Sequence, residues 1–193
     1  MANSDAARGL MPSRYLSGAV YTGAANKYYV PASDSTAIYV GGMVKLAGSA
    51  DADGVASVTG NVATGDAVVG VVVAVAPVTA DSLTYRAAST ERYVMVADDP
   101  NLLFEAQEDS VGGALAAANV GNTADLASFT SGSTASGLSS MEIDSSTATA
   151  SGDGTEDVFI WGLAQRPDNE IGTNANWLVR LNNHQFVDGV AGA

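Results

Sequence analysis

Apolar residues recur at every second position in several stretches of the chain. In 102–107, Leu102, Phe104 and Ala106 alternate with Leu103, Glu105 and Gln107, and in 177–182, Trp177, Val179 and Leu181 alternate with Leu178, Arg180 and Asn182. A period of two predicts strands with one buried face. Within ERYVMVAD, Tyr93, Met95 and Ala97 share one face while Arg92, Val94 and Val96 share the other. The run AVVGVVVAVAPV breaks the alternation, because its β-branched residues leave no polar face before Pro77. Such a run fits a strand buried on both sides better than a helix.

Weaker signals fill the intervals. KYYVPAS predicts a strand that ends at Pro31, and TAIYVGGMVKLAG reads as strand, Gly-Gly turn, strand. DADG at 51–54 and TGD at 64–66 are turns, and LTYRAAS and DVFIWGLAQ are further strands. VGGALAAANV is divided between a short helix, favoured by its alanines, and a loop, favoured by Gly112 and Gly113. The Ser/Thr/Gly-rich stretches 127–140 and 145–157 are expected to be surface loops, with a short strand in LSSMEID between them. Residues 1–27 show neither period. They carry isolated anchors instead, Leu10, Met11, Tyr15, Leu16 and Tyr21. The expectation is an all-β protein with no internal repeat: an extended N-terminal arm at 1–27, and a compact β-barrel or β-sandwich-like domain at 28–193.

Charge sharpens this division. The 193-residue chain has a net charge of -13, yet residues 1–30 hold Arg8, Arg14 and Lys27 against Asp5 alone, three minus one giving +2. The rest holds five basic and twenty acidic groups, giving -15. An acidic body repels phosphates, so no nucleic-acid partner is expected. Cysteine is absent, which removes disulfides, thiol nucleophiles and thiolate metal sites. The longest apolar stretch, 68–76, is too short to span a bilayer, and MANSDAARGLMPSR has no signal-like apolar run. The reading is of a soluble chain with no membrane partner, not exported by a cleaved signal.

The strongest candidate for chemistry is VADDPNLLFEAQEDSVGG at 96–113, with Asp98, Asp99, Glu105, Glu108 and Asp109. Asp98 to Asn101 has turn chemistry, and the strand that follows points Glu105 outward and closes through Glu108 and Asp109 into the Gly112–Gly113 turn. All these carboxylates are therefore expected to face solvent. A weak cation site is the alternative, although neither DADG nor GDGTED completes a calcium loop. The single histidine, His184, has Asp188 four residues on, but no serine elbow accompanies them, and His184 is expected on a strand surface. A carboxylate-dependent hydrolase built on Asp98 or Asp99 stays open, because the separation of two acids is a property of the fold. No phosphate-cradling loop is present. The prediction is no catalytic residue, no cofactor and no metal site.

Long strings of the chain then carry a resemblance. ANSDAARGLMPSRYLSGAVYTGAANKYYVPASDSTAIYVGG, VKLAGSADADG, GDAVVGVVVAV, VADDPNLLFEAQEDSVGGALAA and GLAQRPDNEIGTNANWLVRLNNHQ resemble the head decoration, or cement, proteins of tailed bacteriophages. The resemblance implies a β-rich, non-enzymatic virion protein on the outer surface of the capsid, bridging neighbouring major capsid protein subunits and reinforcing the head. It implies a homo-oligomer, a trimer favoured and a dimer possible, with extended termini reaching across capsomer boundaries. In that role Arg8 and Arg14 are expected to pair with capsid carboxylates, while Leu10, Tyr15, Leu16 and Tyr21 supply burial. A tail or adsorption protein that binds a host receptor or glycan is the alternative.

Overall fold

The computed structural model describes residues 3–187. Among them are twelve strands: β1 (Met11–Tyr15), β2 (Asn26–Val30), β3 (Met43–Ala50), β4 (Ala56–Thr59), β5 (Gly70–Val75), β6 (Arg92–Ala97), β7 (Leu102–Gln107), β8 (Thr123–Ala124), β9 (Leu126–Ala127), β10 (Glu142–Ile143), β11 (Val158–Leu163) and β12 (Asn176–Leu181). Helix is confined to two single 3-10 turns, Ala117–Asn119 and Ser145–Thr147. The all-β expectation holds, and among the described residues no helix is long and apolar enough to cross a membrane.

Five consecutive strands close a barrel in the order β2-β4-β3-β5-β6, with β6 returning to β2. Its pairings are antiparallel apart from a short parallel contact of β2 with β4 at Tyr29 and Ser57. Beside it lies an antiparallel sheet ordered β1-β7-β12-β11-β8, accompanied by the β9-β10 pair.

The apolar run at 67–78 explains how the two parts join. Val69 and Val72 enter the barrel interior with Val30, Val44, Val58, Val94 and Val96, whereas Val68 and Val71 enter the other core. That second core gathers Phe104, Trp177, Val179, Ile160 and Met141 from the sheet side. β5 is thus a shared wall, apolar on both faces because each face meets a different core.

Barrel loops that the sequence reads as strands form only isolated bridges, Ile38 with Arg86 and Val40 with Leu138. The reason is the Arg86 side chain, which is fully buried and bonds loop carbonyls: Nε to Thr90, Nη1 to Thr36, and Nη2 to Pro31 and Asp34, at 2.6 to 2.8 Å. These contacts fold 31–36 and 86–90 into turns in place of a ladder. The short strand expected in LSSMEID is β10, and Met141 and Ile143 there are completely buried.

The N-terminal segment is extended, yet residue 27 does not mark a packing boundary. β1 pairs with β7 as the edge of the sheet, and Leu10 is buried in the sheet core. Leu10 reaches that core because Gly9 passes directly over the barrel loop at Gly41. Leu10 N–H donates to the Gly41 carbonyl at 2.9 Å, and a Cβ on Gly9 would lie 2.4 Å from that same oxygen. Gly9 also has φ +72°, a conformation that costs other residues strain. Further out, the Gln107 side chain accepts from Ala6 N–H and donates to the Ser4 carbonyl, and Asn3 donates to the carbonyls of Glu170 and Thr173. Residues 3–16 are strapped to the body along their length.

Candidate functional site

The sheet has two faces of unlike chemistry. Pairing register puts Phe104, Val179 and Ile160 side by side toward the core, and sends Arg14, Leu103, Arg180 and Phe159 across the other face in one row. The neighbouring row holds Met11, Glu105, Leu178 and Gly162. A bulge between Ile160 and Gly162 adds one residue to β11, and that residue, Trp161, projects from this outer face with 44% exposure. Its ring meets Phe159 edge-on at 6.4 Å.

Four of the six arginines in the chain gather on this face: Arg8, Arg14, Arg166 and Arg180. Arg8 and Arg166 share one carboxylate oxygen of Glu105, with Arg8 Nη2 at 2.8 Å. Asp168 lies 3.2 Å from the Arg166 Nε. Arg14 and Arg180 have no ion-pair partner among the described residues. Four guanidiniums against the carboxylates of Glu105 and Asp168 leave about +2 on a chain whose net charge is -13. Register sets the buried Leu103 between Arg14 and Arg180, whose aliphatic stems are long enough to shield it. A cleft of about 220 Å³ opens among Arg14, Glu105, Arg166 and Leu178. Solvated faces of antiparallel sheets are usually polar and mixed in charge. This one combines arginine, tryptophan and phenylalanine, the residues that dominate protein contact energetics.

The six expected contact residues fall into three groups. Arg8 and Arg14 lie on the outer face, Arg8 held by Glu105 and Arg14 exposed. Tyr15, Leu16 and Tyr21 are half-buried beside the edge of the sheet, the tyrosine rings 6.4 Å apart and both packed against the core. Leu10, expected as a partner anchor, is a core residue with no exposed surface. Sequence reading missed Arg166, Arg180 and Trp161. The period-two register does place Arg180 opposite the core, but the bulge that turns Trp161 outward and the loop that brings Arg166 to Glu105 have no signal in a single strand pattern.

Of the acidic stretch 96–113, Asp99 is exposed as expected, in a turn where it accepts from Asn101 N–H, but the other acids are engaged by the protein. Asp98 accepts from the Tyr28 hydroxyl at 2.7 Å and from the Asn26 amide. Glu105 carries the two arginines, and Asp109 accepts from Val111 and Ser145 N–H groups. Glu108, expected in solvent, is completely buried because its carboxylate accepts from Leu115 N–H at 2.6 Å and from the Ser110 hydroxyl at 3.0 Å. Burial raises its pKa above the ordinary carboxylate value. Asp157 behaves likewise: it accepts from Gly65 and Leu126 N–H groups, and desolvation raises its pKa.

His184 is buried rather than on a strand surface. Its backbone bridges Val68, its Nδ1 accepts from Phe186 N–H at 3.1 Å, and burial lowers its pKa. Asp188 lies outside the described residues. Among the described residues no group of three or more His, Cys, Asp or Glu is arranged to hold a metal ion. Comparison with protein-family models, with curated proteins and with solved structures finds no match.

Proposed function

We propose that this is a non-enzymatic structural protein of a phage virion, located on the outer surface of the capsid, where it bridges neighbouring major capsid protein subunits. The observation that carries the reading is the arginine and aromatic outer face, with Arg8 and Arg14 delivered to it by the N-terminal strap. The resemblance of long strings of the chain to head decoration proteins supplies the identity of the partner. Guanidiniums pair with carboxylates through two parallel hydrogen bonds, so Arg14 and Arg180 select an acidic protein surface, and Trp161 and Phe159 add apolar area beside them.

Repetition does the rest. A shell presents many equivalent sites, so a modest contact per copy clamps it when each copy, or each trimer of copies, touches two subunits. The acidic remainder of the body faces outward and keeps decorated particles apart.

The test is binding to capsids stripped of the protein. The Arg14→Glu/Arg180→Glu double variant is expected to bind at least tenfold more weakly than the native chain while still unfolding in one cooperative thermal transition, and native binding is expected to weaken as salt rises. Undiminished binding by the double variant would remove this face from the contact. Imaging that puts the protein on the tail would replace the capsid reading with an adsorption role.

A further inference from the structure

A carboxylate stands in the middle of the arginine face. Glu105 lies in register between Met11 of β1 and Leu178 of β12, and a single one of its oxygens, Oε1, accepts hydrogen bonds from both Arg8 and Arg166. A guanidinium carries five N–H donors and matches a carboxylate best through two parallel bonds. Neither arginine forms such a pair here. Each makes one side-chain hydrogen bond among the described residues, and Arg166 has in addition Asp168 at 3.2 Å from its Nε. Both side chains reach solvent, Arg8 with 42% and Arg166 with 32% exposure, so most of their donors are left over.

Room for a second acceptor lies beside them. The cleft of about 220 Å³ opens between Arg166 and Arg14, which has no ion-pair partner, and Glu105, Ser13, Gln165 and Leu178 complete its lining. That volume is below the roughly 300–1,000 Å³ of small-ligand pockets and suits one side chain. Charge narrows the choice further. Arg8, Arg14 and Arg166 against Glu105 and Asp168 leave three minus two, or +1, which one carboxylate neutralises and a phosphate dianion exceeds.

We propose that this cleft seats one aspartate or glutamate side chain of an acidic partner surface, and that Glu105 is its internal competitor. The incoming carboxylate takes the free donors of Arg14 and Arg166, while Glu105 repels it and holds Arg166 back. Glu105 thus works against adhesion from the centre of the contact. The inference rests on the protein-contact reading of this face and gives that contact its anchor.

The seat is tested on the isolated full chain by NMR titration with N-acetylglutamate α-amide, which carries one side-chain carboxylate, beside N-acetylglutamine α-amide and inorganic phosphate. The glutamate derivative is expected to shift the amide signals of Ser13, Arg14, Gln165 and Arg166 saturably, and the glutamine derivative to leave them in place. Glu105→Gln, nearly equal in shape, is expected to tighten that binding at least threefold. Arg14→Gln, at an exposed position, is expected to weaken it at least threefold. No saturable shift with the glutamate derivative, an equal response to the glutamine derivative, preferential saturation by phosphate, or unchanged or weaker binding by Glu105→Gln would each overturn the assignment. Charge-dependent binding of the glutamate derivative by a protein that ignores capsids would leave the seat standing and end the capsid reading alone.

Discussion

The barrel and the sheet are built from the same alternation but finish it differently on both sides. Inside, the barrel is lined chiefly by valine, with Tyr28 and Ile38 as its larger members, while the sheet core packs Trp177, Phe104, Met141, Leu102 and Ile143. Outside, the barrel presents Tyr29 against Tyr93, Lys27 over the Tyr93 ring at 4.4 Å, and Asp51 accepting from the Tyr93 hydroxyl at 2.6 Å, which pushes that phenol up to about 12. The sheet presents arginines and Trp161. A closed five-stranded barrel has a narrow interior that small β-branched residues fill, so bulk must go elsewhere. The lesson is that the barrel has the narrow core, while the sheet has the thick core and carries its arginines on one outer face.

The first way to break the comparison is to hollow out each core. Trp177→Ala removes the largest fully buried side chain and is expected to cost about 3–5 kcal/mol, against about 2 kcal/mol for Val72→Ala in the barrel; urea unfolding measures both. Equal losses would mean that the two cores share their packing strain. Next comes Leu10→Ala, expected to cost about 3 kcal/mol by the same measurement, because the strap fills the sheet core from outside the strand order. A negligible loss would return the segment to the status of a dispensable arm.

The smallest effect is in pH dependence. The folded pKa of Glu108 is raised by burial, so its contribution to stability is fully present below the ordinary carboxylate range and is lost as pH rises through the raised value. His184 works the other way: its pKa is lowered by burial, and its contribution falls away as pH drops through the ordinary imidazole range. Comparing native chain with Glu108→Gln isolates the carboxylate. The melting temperature of the native chain relative to the variant is expected to rise as pH falls from 8 to 4, and a flat difference would mean that Glu108 titrates as it does in the unfolded chain.

Much of the fold was legible because strands with one dry face write themselves into sequence. Leu102, Phe104 and Ala106, and Trp177, Val179 and Leu181, alternate as the register requires, and the valine run told of a strand buried on both faces, which in the fold is the wall between two interiors. What stayed hidden depends on side chains that leave their own element. Glu108 looks like a turn acid until Leu115 N–H is brought to it, and Arg86 looks like a strand residue until two turns are folded around it. Leu10 lacks periodic neighbours because it plugs a core as a single residue at a Gly-Gly crossing. The outer face of the sheet was half visible: Arg14 and Arg180 could be read, but their meeting across Leu103 is a fact of register between strands far apart in the chain.

That separation also sets an order of assembly. The barrel draws only on residues 26–97, and two of its five pairings join strands adjacent in sequence, whereas β7 must wait for β1 from before the barrel and β12 from well after it. Closing distant segments is slow, since chain entropy is lost before contacts compensate. The arginine face is therefore expected to be the last surface to form: a partially folded chain would carry the barrel but no complete cationic sheet.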